Sequence, residues 1–329
     1  MPPNITLQDT PSPPAPLITL LTSHLPHSLP VLRRLQSCLS LSASTPQTHI
    51  LYASSLTTFP NHFAAAYLDL TRSPETECWL YSTLEDASTS YPPSNLSLSL
   101  PQEEAQLCDE LVMAILRRAR LLEEELSGEG VVRTVGKGKM VLGSLNEVVR
   151  QRIMKRGVQM AKTAAVEEAV EWEFCGKWLF RVEELPFGGR DGLEELEEGV
   201  IWDVCRRGDV RIVQSRTVVP RLEATLLMLP STVLRLENGT PVAWAFLGLD
   251  GTFMTLHVEE AYRGKGLAKA LACRLIRDHL KTYGDDGWGA ADVFVSNVKS
   301  RAVCKSIGGK PCWTSSWAIL DLSSAGGSM

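Results

Sequence analysis

A chain of 329 residues, 44% hydrophobic and 22% charged, holds enough material for two modest globular domains. Its formal net charge of −5 excludes the basic balance of a general nucleic-acid binder, and no apolar run has the length of a bilayer span, so neither nucleic acid nor a membrane is an expected partner. Without a basic segment followed by a continuous apolar one, the start of the chain predicts a cytoplasmic protein, and its eight scattered cysteines read as reduced thiols, with no metal site.

Residues 1–16 contain six prolines and read as a flexible tail. Leu17 to Leu41 supplies short helices interrupted at Pro26 and Pro30, and the pair His24 and His27 reads as structural, since prolines surround it and no acidic or Cys partner lies near. Three strands, His49–Ser54, Phe63–Leu70 and Cys78–Leu84, precede a helix from Gln102 to Leu126 whose Leu107, Leu111, Ile115 and Leu122 keep helical spacing. These elements make a first lobe over 17–126. Five glycines between Gly128 and Gly143 predict a mobile connection, and Ser144 to Glu171 reads as a helix, which gives a linker over 127–171 and a second lobe over 172–329. That lobe opens on a strand at Glu173–Glu183, and the acidic run Glu194 to Glu198 reads as a solvated face.

The second lobe continues as a meander. Ser231–Glu237 and Val242–Leu249 flank Asn238-Gly239, a hairpin signal; Asp250-Gly251 reverses the chain into Phe253–Val258; Asp292–Ser296 makes a fourth strand. Between the last two lies Arg263-Gly264-Lys265-Gly266-Leu267-Ala268, where two side-chain-free residues let amides turn toward an anion at the start of a helix. Glycine turns before helices also occur without a ligand, so the order of elements around the loop carries the weight.

Arg263, Gly266 and Ala268, followed by Asn297, Ser300 and Gly308, resemble the cofactor motif and the next strand–helix segment of the GNAT superfamily of N-acyltransferases. Pro241-Val242-Ala243-Trp244 with Tyr262-Arg263 looks most similar to its glycine N-acyltransferase-like branch, as does the N-terminal tract Glu77-Cys78-Trp79-Leu80-Tyr81. The strong resemblance covers 205–320 and a weaker one 17–126. It implies an α/β fold with a mixed, mostly antiparallel sheet flanked by helices, split at the cofactor site, and a first lobe that is a reduced copy of the second. It further implies acetyl-CoA or another acyl-CoA as cosubstrate, held by Arg263 to Ala268, Asn297 and Ser300. The main chain of Leu256, His257, Val258 and Glu259 would lie beside the thioester.

The catalytic groups are where the residues depart from the family pattern. The family's acidic Tyr, four residues after the Ser, is here Cys304, and the branch's basic Glu falls on Thr252. Candidate bases are therefore His257, whose intrinsic pKa suits the task, and Asp250, with Cys304 or water as the acid. Asn297 has two readings, a helix cap or a pantetheine contact. Trp244, Trp313 and Trp317 read first as core, with Trp313 the one the resemblance places near the acceptor. The expected activity is direct transfer of an acyl group from coenzyme A to a small primary amine or amino acid; the rivals are a silent acyl-CoA-binding module and a protein N-acetyltransferase.

Overall fold

The computed structural model describes residues 4–55, 61–131, 134–163, 174–186, 199–217 and 219–326. The chain divides into two compact units, one of residues 1–176 with 313–329, the other of 177–312. The last strand thus returns to the first unit, an arrangement that a cut at residue 172 does not anticipate.

The first unit runs β1 (Ile5–Thr10), α1 (Ala15–Ser23), α2 (Leu29–Ser40), β2 (His49–Ser55), β3 (Phe63–Leu68), β4 (Cys78–Ser82), β5 (Ser88–Thr89), β6 (Ser97–Leu98), α3 (Gln102–Gly128), β7 (Lys139–Asn146), α4 (Glu147–Lys155) and β8 (Met160–Lys162). Strands β1 to β4 form an antiparallel meander, and β4 meets β7 in parallel at Cys78↔Leu142. The period-two alternation of β2 and β3 sorts their side chains: Leu51, Ala53, Ala64 and Ala66 join the α3 core, whereas Ile50, Ala65 and Tyr67 join the core under α1 and α2. Both faces are covered, so no polar stripe remains along these strands.

Three expectations for this unit are corrected. The tail holds a strand, because Ile5–Thr10 lies clear of the prolines and pairs along β2 from Ile5↔Ser55 to Thr10↔Ile50. The stretch read as a helix from Ser144 opens instead inside β7, and Asn146 starts α4 by accepting a bond from the Val148 amide at 2.9 Å. Residues 164–171 of that stretch lie outside the described residues, as does the acidic run Glu194 to Glu198. The glycine-rich connection is also partly structured, since Gly143 sits inside β7, where a Cβ would come within 2.5 Å of Thr76.

The second unit carries β9 (Cys175–Arg181), β10 (Val200–Asp203), α5 (Val210–Ser215), α6 (Glu223–Met228), β11 (Ser231–Leu236), β12 (Pro241–Leu247), β13 (Phe253–Val258), α7 (Leu267–His279), β14 (Trp288–Phe294) and α8 (Val298–Ser306), with the first residues of β15 (Lys310–Asp321). Strands β10 to β13 are antiparallel, and β14 lies beyond β13 with β9 at its side. The order meander, helix, parallel strand, helix repeats that of β2–β3–β4–α3–β7–α4. From Trp313 on, β15 belongs to the first unit and runs antiparallel to β7, Ser315 opposite Asn146 and Asp321 opposite Lys139. Leu267, Leu271, Leu275 and Ile276 give α7 its buried stripe, and at Gly309 any Cβ would lie 2.3 Å from the Phe180 ring, which fixes glycine there. Among the described residues, no helix is long and apolar enough to cross a membrane.

Candidate active site

Strands β13 and β14 are parallel neighbours that touch through one bridge, Thr252↔Ala290, after which β13 stays with β12 and β14 with β9. The two therefore separate toward their C-terminal ends, and both following helices begin at that open end. Beyond β13 the chain makes a short turn at Glu260–Tyr262, and Arg263 Nε donates back to the Val258 carbonyl at 2.9 Å. Gly264 and Gly266 then take φ of +80° and +76°, a region that costs an L side chain strain, and a Cβ on either would meet nothing within 4 Å.

Gly266 is the N-cap of α7 and has no side chain to bond the first amides; the Lys269 and Ala270 amides both reach its carbonyl at 3.1 Å. Leu267 and Ala268, in the first turn, have no intrahelical acceptor. Arg263, Lys265 and Lys269 surround this turn, and no Asp or Glu occurs from Ala261 to Arg277. The next helix repeats the pattern, with Lys299, Arg301 and Lys305 and no acid from Val293 to Leu320. Open amides, two positive-φ glycines and a run of cations with no acid in the same segment suit a polyphosphate. The corresponding link of the first unit, Thr83 to Pro101, has no glycine, and its helix opens with Glu103 and Glu104.

The open end of β13 is shaped by a bulge. Phe246 pairs with Met254 and Trp244 with His257, so Ala245 faces two residues, Thr255 and Leu256. Thr255 has φ of 53°, a strained setting for a β-branched residue. The extra residue returns His257 to the face of Trp244, and the two rings stack with centroids 4.7 Å apart and planes 21° from parallel. His257 Nε2 lies 3.5 Å from Glu259 Oε1, which also accepts from Arg216 Nε at 3.0 Å. Burial lowers the His257 pKa more than the Glu259 carboxylate raises it, so the ring is neutral near pH 7.

The other expected site residues are spread unevenly. Asn297 caps α8, its Oδ1 accepting from the Ser300 amide at 3.0 Å, which uses one of the two Oδ1 lone pairs and leaves its amino group for a ligand. Cys304 is buried beneath α8, and desolvation pushes its thiol up to about 12, so it is not a ready proton donor at the open end. Asp250 sits by the Thr252 bridge, at the closed end, where Oδ1 accepts from the Thr252 amide and, at 2.5 Å, its hydroxyl; it serves the turn. Trp313 belongs to the first unit and stacks on His27 at 4.9 Å, and Trp317 there donates to Thr76. His24 bonds Asp86 at 2.6 Å.

Arg216 and the Glu259 side chain were not legible as partners: 43 residues separate them, and neither lies in a motif. The same holds for Lys177 and Asp292, a buried pair at 2.5 Å between β9 and β14.

Residues 3–172 match the family described as the acyl-CoA N-acyltransferase verG N-terminal domain, and residues 215–308 match the acetyltransferase (GNAT) family. No curated protein matches the chain. Among solved structures, a Drosophila protein shares 15% identity at a TM-score of 0.58, covering 93% of this chain and 94% of its own. A tandem GNAT protein from the clavulanic acid biosynthesis pathway shares 10% identity at a TM-score of 0.49, covering 99% and 100%. The glucosamine N-acetyltransferase region of a fungal multi-domain β-N-acetylglucosaminidase shares 12% at 0.48, covering 97% of this chain and 38% of that one.

Proposed function

Because the chain belongs to the acyl-CoA N-acyltransferases, joining a verG-type N-terminal domain to a GNAT domain, we propose that its second unit transfers an acyl group from coenzyme A to a small primary amine or amino acid. The observation that carries this reading is the separation of β13 from β14, with the uncapped, glycine-headed α7 at its open end. In it, the Gly264–Ala268 amides with Arg263, Lys265 and Lys269 hold the pyrophosphate, and the Asn297 amino group and the bulged main chain at Leu256–Val258 hold the pantetheine end.

Acyl-CoA supplies the activated thioester, and the protein's share is to hold it, orient the amine and take a proton. Of the three catalytic candidates, His257 alone lies at the open end with a neutral ring; Asp250 and Cys304 are committed elsewhere. The departing thiolate then takes its proton from solvent, which a thiol of ordinary acidity permits. The first unit, lacking a glycine turn and opening α3 on acids, holds no acyl-CoA in this scheme.

Thiol release from a series of acyl-CoAs, each offered a panel of amines and amino acids, tests the proposal. Release that depends on both partners supports it. Measurable coenzyme A binding with silence for every pair refutes it in favour of a binding module, and turnover only with protein amines moves the acceptor class.

A further inference from the structure

Arg216, Glu259 and His257 stand in a row where β13 ends. One carboxylate oxygen, Glu259 Oε1, takes the Arg216 Nε–H at 3.0 Å and faces His257 Nε2 at 3.5 Å. That length falls short of a formed bond, as often holds before substrate binds. Nε2 is enclosed by protein; Nδ1 of the same ring has no partner among the described residues and is not enclosed. Trp244, wholly buried and stacked on the imidazole, fixes the plane of the ring. A neutral imidazole has one N–H and one lone pair, and an ionised carboxylate can only accept, so the proton belongs on the nitrogen that faces it.

We propose that the Arg216–Glu259 pair fixes His257 as the Nε2–H tautomer and so makes Nδ1 the atom that receives the proton of the acceptor amine. This rests on the acyltransferase reading above. In the step, the amine nitrogen bonds to the thioester carbon, the C–S bond breaks with its electron pair on sulfur, and the nitrogen's proton moves to Nδ1. Glu259 then faces an imidazolium, whose charge it stabilises, while Arg216 keeps the carboxylate in place. Glu259 and Arg216 are positioning residues, since neither touches a reacting atom. The charged groups around the ring act in opposite senses: Glu259 favours its protonation, Arg263 and Arg216 oppose it, and burial opposes it most.

Nitrogen-15 NMR of the histidine rings, with His257 assigned by its loss in His257→Gln, reads the tautomer in the free protein. The expected result is a bare Nδ1 and a protonated Nε2. Glu259→Gln, which keeps the shape and removes the charge, should move the His257 ionisation to lower pH and cut turnover about tenfold, with the KM for acyl-CoA within about twofold. A protonated Nδ1 in the parent, or an ionisation and turnover unmoved by Glu259→Gln, overturns the proposal. Because the spectra need no activity, that failure is distinct from an absence of thiol release in the parent, which would remove the acyltransferase reading itself.

Discussion

Gly266→Asp separates the fold from the ligand, because the position is conformationally demanding yet sterically open. With φ at +76° and nothing within 4 Å of a Cβ, any side chain costs backbone strain but no clash. That strain amounts to about 1–2 kcal/mol, less for a residue as tolerant of the left-handed region as Asp. Binding should suffer more than folding. A carboxylate about 5 Å from the two charges of a pyrophosphate costs roughly 2 kcal/mol at the dielectric of water and several times that at an effective value near 20. The smaller figure already exceeds the ~1.4 kcal/mol of a tenfold change in affinity. Calorimetric titration with coenzyme A should therefore show a loss of at least about tenfold, while Gly266→Ala, with the strain and no charge, loses less. Undiminished affinity in a folded Gly266→Asp protein would refute the assignment of this turn to the pyrophosphate.

Three further outcomes follow from buried groups. Cys304→Ala should lower turnover less than about tenfold, since its thiol is enclosed and weakly acidic; a loss of about a hundredfold in steady-state rates would make it a positioned acid. Lys177→Met should destabilise the protein by about 3–5 kcal/mol in denaturant melts by stripping the lysine from buried Asp292, and Lys177→Met with Asp292→Leu should recover much of it. Glu77, fully buried in the first unit, has its pKa raised from 4.5 to about 8, chiefly by desolvation, so the folded state holds this proton more tightly than the unfolded one. Its contribution is complete below pH 4.5 and is lost as pH rises through about 8, and Glu77→Gln should flatten that fall in stability between pH 5 and 9, a difference on the order of a few kcal/mol.

What could be read from the sequence was local. The hairpin at Asn238-Gly239, the alternation of Phe253–Val258 and the glycines before α7 each state their conformation within a few residues, and the meander, turn and helix stand where expected. The position of the bulge was not legible, because Thr255 in a left-handed conformation has no sequence signal and only its pairing across Ala245 shows why His257 shares a face with Trp244. Asn297 illustrates a different limit: its cap and its ligand contact predict the same residue at the same place, and geometry alone shows Oδ1 committed to Ser300. Trp313 reads as core from its residue type, yet nothing in Lys310–Asp321 names β7 as the partner.

The return of β15 has a consequence for synthesis on the ribosome. Until Trp313–Asp321 emerges, β7 presents Met140, Val141 and Leu142 on an unpaired edge, and the sheet of the first 176 residues cannot close. The half made first is thus finished last, after the whole glycine-loop half has been translated. A stop codon ahead of Trp313 would still encode every residue given to acyl-CoA or to its chemistry, and would strand the earlier half with an adhesive flank.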